Sequence, residues 1–253
     1  MRFIAHLNES FENKIFAVID TFMTSKNIKD VDTLLSHESL TDLLDLINDT
    51  FEIGRITVSQ GPQPDITGQS TGDSINVTIP YRAPLDTKLR ISMLGTLFHE
   101  LSHHFQFSDQ GAMAQLAQGY KSDINSSYKF VQYFLQKAER YPKAISTAIT
   151  CLIENIDVLG DVEEIKKIAS KAKKQSDIEE LTADLVSKYN IYAYSFIPVA
   201  DFYMVAFYAY GTQVADITKE DKRSIRNKFD VFMRNLKKAY IGFQHYFKKY
   251  KII

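Results

Sequence analysis

The chain has 253 residues, of which 45% are apolar and 24% charged, the proportions of an ordinary globular protein. They exclude a disordered tail, a collagen-like fibre and a coiled-coil rod, and no run of about 18 apolar residues is present to cross a bilayer. The net charge of −1 is unevenly divided: residues 217–253 hold 11 Lys/Arg against 3 Asp/Glu, which leaves −9 on the rest of the chain.

The pattern is mostly helical. Phe11, Ile15, Val18, Ile19 and Phe22 recur at helical spacing and predict a helix over 11–23, after the polar Asn8-Glu9-Ser10. Leu40, Leu43, Leu44 and Ile47 predict a second helix over 39–51. The period then changes to two, and strands are predicted over 55–59 and 74–79. Between them, residues 60–73 carry Gly61, Pro62, Pro64, Gly68 and Gly72 and read as a long loop. A helix is predicted over 86–107, a loosely ordered stretch over 111–126, and helices over 127–140, 142–158, 162–174, 176–190 and 200–214. A last helix begins near Thr218. No repeat and no linker divides the chain, so a single domain over 1–253 of mainly helical α+β class, with a small sheet ahead of the 86–107 helix, is expected.

The chemistry is concentrated in His99-Glu100-Leu101-Ser102-His103. Residues four apart on a helix lie one above the other, so His99 and His103 can grip one ion from a single rigid element. Glu100 projects beside them, where it can act on a water. Two imidazoles and a carboxylate suit Zn2+, which lowers the pKa of a bound water to about 7. Leu94, Leu97, Phe98, Leu101 and Phe105 form an apolar stripe on the other side of the helix.

A third ligand is sought downstream. Ser176 and Glu179 match a capping box that would start a helix and leave Glu180 free, with Asp184 one turn later on the same face. Glu180 as ligand, with Asp184 fixing a ligand imidazole by a hydrogen bond, is the preferred arrangement. Asp109, six residues after His103, is the alternative; the one-segment motif that would use it wants glycine at 106, where this chain has Gln106.

On His99-Glu100-Leu101-Ser102-His103 and Glu180-Leu181-Thr182-Ala183-Asp184 the chain resembles the zincin metallopeptidases, and among them the gluzincins. The resemblance covers about 20 residues. It implies His99, His103 and Glu180 as zinc ligands, Glu100 as general base and Asp184 behind the ligands. It also implies a sheet whose edge strand runs along the substrate cleft, a role for which the 74–79 strand is the candidate. A His or Tyr donor to the oxyanion is implied as well, with Tyr192, Tyr194 and His245 as candidates. His104 points away from His103 and is expected to support the site or lie at the surface.

Arg223, Arg226, Lys228, Arg234, Lys237, Lys238, Lys248, Lys249 and Lys251 alternate with aromatic residues toward the C-terminus. The simplest reading is an amphipathic helix packed on the domain; nucleic acid or a membrane surface are the alternative partners. The single cysteine, Cys151, and an N-terminus that meets Asn8 and Glu9 before any signal-peptide core lead to the expectation of a cytoplasmic protein, or part of a particle assembled there. The function expected is zinc-dependent hydrolysis of a peptide or protein substrate. The alternative is a zincin-like structural or binding protein in a larger assembly, without hydrolytic activity.

Overall fold

In a computed structural model, residues 2–62, 66–71, 73–81, 86–108, 116, 126–169, 174–188, 197–211 and 217–253 are described. They form α1 (Arg2–Lys26), α2 (Val31–Leu34), α3 (His37–Phe51), β1 (Arg55–Gly61), β2 (Thr67–Ser70), β3 (Ser74–Pro80), α4 (Thr87–Ser108), α5 (Ser127–Phe134), α6 (Arg140–Ile153), α7 (Val158–Ala169), α8 (Gln175–Lys188), α9 (Ile197–Tyr210) and α10 (Lys219–Lys249). The fold is therefore mainly helical α+β, with a three-stranded sheet ahead of the helix that carries the histidine pair. No described helix is long and apolar enough to cross a membrane.

Two helices make the centre. α6 is buried along nearly its whole length, from Tyr141 to Ile153, and packs on both α4 and α10. α4 comes close to it because residue 95 is glycine: a Cβ there would lie 2.9 Å from Thr150 Oγ1 and 3.3 Å from Ser146 Oγ. α9 is apolar all round, as a helix at the core should be, with Val199, Phe202, Tyr203, Val205, Ala206 and Phe207 fully buried. Phe202, Phe229 and Phe232 stack with ring centroids 5.8–5.9 Å apart. Each such buried ring contributes about 1.5–3 kcal/mol relative to exposure.

The C-terminal helix matches the amphipathic reading. Thr218 caps α10 by accepting the Asp221 N–H at 3.0 Å. Ile225, Phe229, Phe232, Leu236, Ala239, Phe243 and Phe247 form its buried stripe, while Arg223, Arg226, Lys228, Arg234, Lys237 and Lys248 lie exposed. Lys238 pairs with Glu12 at 2.7 Å and Lys249 with Asp20 at 2.6 Å, both on α1, so part of the basic excess is balanced within the molecule.

The sheet differs from expectation in a way that matters for the site. Its order is β1-β3-β2, with β1 parallel and β2 antiparallel to β3. The edge strand next to α4 is therefore β2, from inside the segment expected to be a loop, and the expected edge strand, β3, is central. Ile75, Val77 and Ile79 turn to the core. Thr57 Oγ1 donates to Asn76 Oδ1 at 2.8 Å, and Asn76 Nδ2 donates to Thr78 Oγ1 at 3.0 Å. β2 is a Thr-Gly-Gln-Ser strand with no apolar alternation, and pairing with β3 defines it.

Other boundaries also move. α1 extends back to Arg2. The helix expected over 127–140 stops at Phe134, and a turn through Leu135 to Glu139 leads into α6. α8 starts at Gln175, ahead of Ser176; the Lys174 N–H is held by Asp177 Oδ2 at 3.2 Å, so the expected Ser176–Glu179 capping box does not start this helix. Most of the stretch expected to be loosely ordered, 111–126, lies outside the described residues.

Candidate metal centre

α4 does more than present one apolar face. Leu94, Leu97, Phe98 and Leu101 are buried as expected, but so are His99, Glu100, Ser102, His103, His104 and Gln106 on its other sides. The helix runs between α6 and the sheet, and both histidines project into the protein. Phe107 stacks on His103 with ring centroids 5.4 Å apart and planes within 6°, which fixes the imidazole plane. His104 Nδ1 faces the Thr71 carbonyl at 3.4 Å, tying α4 to the β2–β3 turn.

The carboxylate that meets the histidines is Glu139. His99 Nε2 lies 3.4 Å from Glu139 Oε2, His103 Nε2 lies 3.5 Å from Glu139 Oε1, and the two ring nitrogens are 3.1 Å apart. One ligand atom from each of the three side chains falls within 4.8 Å of the others. Ligand atoms held tetrahedrally at about 2.0–2.2 Å from one ion are about 3.3–3.6 Å apart. The observed spacings are close to that, so hydrogen bonding among the three groups and the gripping of one cation are both compatible with this geometry.

Electrostatics favours the protonation states that a cation needs. Burial pushes His99 down, against the opposing pull of Glu139, which favours a neutral imidazole. Burial pushes the Glu139 carboxyl up, but hydrogen bonds from His103 and His99 outweigh it and hold that carboxyl well below the usual range. Glu139 is 2% exposed, so its charge has little water to stabilise it and depends on these partners.

Local structure explains why Glu139 is available. It occupies the N-cap position of α6, with φ −84° and ψ −30°, and its side chain makes no cap hydrogen bond. The turn at 135–139, closed by Glu139 N–H donating to the Gln136 carbonyl at 3.1 Å, brings the side chain back over α4. Pro142, in the first turn of α6, was the sequence signal for this start, because proline is tolerated there and breaks a helix interior.

The predicted third ligand lies elsewhere. Glu180 and Asp184 are exposed on α8 and do not belong to the His99–His103–Glu139 group, because the α8 face that carries them turns to solvent while Leu185 turns inward. Asp109, Tyr192 and Tyr194 lie outside the described residues. His245 is exposed on α10 against Tyr246.

Glu100 sits beside the group, its Oε1 3.9 Å from His99 Nε2. On its other side is β2: Gly68 is paired with the buried Val77, so it faces α4, and it meets Glu100 directly. A cleft follows β2 past these residues in two lobes. One, of about 240 Å³, is lined by Thr67, Thr96, Lys143 and Ser146 among others. The second, of about 350 Å³, is lined by Ser70, His103, Phe107 and Glu139 among others. Gly68, His99, Glu100 and Tyr133 line both. Tyr133, on α5, thus lines both lobes beside the histidines, and it was not among the candidates read from the sequence.

No protein-family model matches the chain, and neither does any curated protein or solved structure.

Proposed function

We propose that the chain is a zinc-dependent metallopeptidase that hydrolyses a peptide or protein substrate. The observation that carries this reading is the convergence of His99 Nε2, His103 Nε2 and a Glu139 oxygen within 4.8 Å, with Glu100 alongside, in the wall of a cleft. Two buried imidazoles and a buried carboxylate are a donor set that would fit zinc. When bound, zinc supplies Lewis acidity to a carbonyl and makes hydroxide available near neutrality.

The roles of the residues follow from their positions. His99, His103 and Glu139 hold the ion, and Phe107 keeps the His103 ring from turning. Glu100 is the general base: it takes the proton of the attacking water and returns it to the leaving amine. The hydroxyl of Tyr133, in reach of both lobes, donates to the developing oxyanion. β2, the edge strand of the sheet, receives an extended peptide by strand addition, which presents successive carbonyls to the site.

The test is zinc content and hydrolysis of fluorescently labelled casein by wild type and Glu100→Gln. Wild type should contain about one zinc per chain. Glu100→Gln should keep the zinc and lose hydrolysis by about 10²–10⁴-fold, the usual size of general-base catalysis. A wild type that cannot be loaded with zinc, or a variant with unchanged hydrolysis, overturns the proposal.

A further inference from the structure

Lys143 stands one turn after Glu139 on α6, its N–H donating to the Glu139 carbonyl at 2.9 Å. Lys143 lines the 240 Å³ lobe, together with the hydroxyl-bearing Ser92, Thr96 and Ser146 and the carboxylate-bearing Glu100. Lys143 is only partly exposed, and no ion pair joins it to a carboxylate among the described residues. Its Nζ lies over the Phe134 ring, 5.8 Å from the centroid. Glu100 lines the same lobe without pairing with Lys143, so a recessed ammonium that forms no ion pair and stands among hydroxyls can receive an anion brought by the substrate.

The direction of the substrate follows from β2. Its inner edge is taken by β3, and a peptide on its outer edge pairs more stably antiparallel than parallel. Such a peptide runs from the Ser70 end toward Thr67. Ser70 lines the lobe beside His103, and Thr67 lines the lobe beside Lys143. The part of the peptide C-terminal to the bond at the metal centre therefore lies against Lys143.

We propose that this site selects substrates bearing a carboxylate on the C-terminal side of the cleaved bond, and that Lys143 is the residue that reads it. The inference rests on the metallopeptidase reading and adds the substrate class to it. The carboxylate is either the side chain of Asp or Glu or the free C-terminus of the peptide; Lys143 would hold both by the same charge-assisted hydrogen bond.

Mapping cleavage of a mixed-sequence peptide library by mass spectrometry tests it, with the library prepared both with free and with amidated C-termini. Zinc-loaded wild type should favour an acid just after the cut by about tenfold or more, the worth of a hydrogen bond to a charged group. Lys143→Met should lose the preference, and Lys143→Glu should turn it toward Lys and Arg. A preference that survives amidation assigns the carboxylate to a side chain; one that disappears assigns it to the terminus. Charge-indifferent cleavage, or a preference that persists in Lys143→Met, overturns the inference while leaving the metallopeptidase reading intact. Failure of zinc-loaded wild type to cut any peptide overturns that reading instead. Binding then decides the role of Lys143: zinc-loaded Glu100→Gln should bind a labelled Asp-containing peptide about tenfold tighter than its Asn counterpart. Equal binding of the two overturns the inference by a route that needs no turnover.

Discussion

Gly68 is pressed against Glu100: a Cβ at residue 68 would lie 2.4 Å from Glu100 Cγ and 2.5 Å from its Oε1. Only glycine lets the edge strand lie over the proposed general base at this distance. The contact is with the Glu100 side chain from Cγ outward and with no backbone atom, so Gly68→Ala should fold and move Glu100. Zinc content should be unchanged, and hydrolysis should fall by about 10²-fold, the cost of misplacing a catalytic group by about 1 Å. Metal analysis and casein hydrolysis on one preparation check this; loss of zinc in Gly68→Ala would place the damage in the ligands instead.

The two glutamates offered as third ligand separate cleanly. Glu139 is buried between the imidazoles, and Glu180 is exposed on α8. Glu139→Ala should abolish zinc retention through dialysis, whereas Glu180→Ala and Asp184→Ala should each retain the wild-type amount. Retention by Glu139→Ala with loss in Glu180→Ala would restore the arrangement that the sequence suggested.

The histidine pair was legible because its spacing is local: four residues on one helix define the geometry whatever surrounds it. The apolar periods of α3, α4 and α10 were legible for the same reason, and the polar–apolar alternation of β3 marked it as a strand. Glu139 was not, because an N-cap carboxylate has no periodic signature, and what aims it is the tertiary docking of α6 on α4. The same holds for β2, whose Thr67, Gly68, Gln69 and Ser70 become a strand only through their register with Thr78, Val77, Asn76 and Ile75. The Glu180–Asp184 spacing was local too, but spacing on a helix says only that two side chains share a face, and this face points to solvent.

Gln106 shares the α4 face of His99 and His103, is 1% exposed, and neither its Oε1 nor its Nε2 has a hydrogen-bond partner among the described residues. An unsatisfied buried polar group costs about 1–3 kcal/mol, and an apolar residue of similar shape escapes the cost. Gln106→Met should therefore raise the stability of the protein by about 1 kcal/mol or more in urea unfolding. A loss of stability of that size would mean that the amide is satisfied, for example by a buried water.

The end of α10 is fastened to α1 by Asp20, which accepts from Lys249 Nζ and from the Tyr250 hydroxyl, each at 2.6 Å. The Lys249 and Tyr250 hydrogen bonds hold the Asp20 carboxyl below its ordinary 3.8, so its contribution is present above that pH and is lost as pH falls through the lowered value. Lys249 is raised above its ordinary 10.5, chiefly by its hydrogen bond to Asp20, so its contribution is present below that pH and is lost as pH climbs through the raised value. Both groups are exposed, and the effect should be small, local and weakened by salt. Backbone amide NMR shifts of residues 248–252 should move toward those of Asp20→Ala only when wild type is taken well below pH 3.8, through the lowered Asp20 value, and stay distinct from them between about pH 5 and 9. Coincidence of the two proteins at neutral pH would show that the end of α10 is held without the Asp20 carboxylate, by the buried Phe247 and Ile252 and by the Tyr250 hydroxyl's contacts with Thr24 and the Asp20 carbonyl.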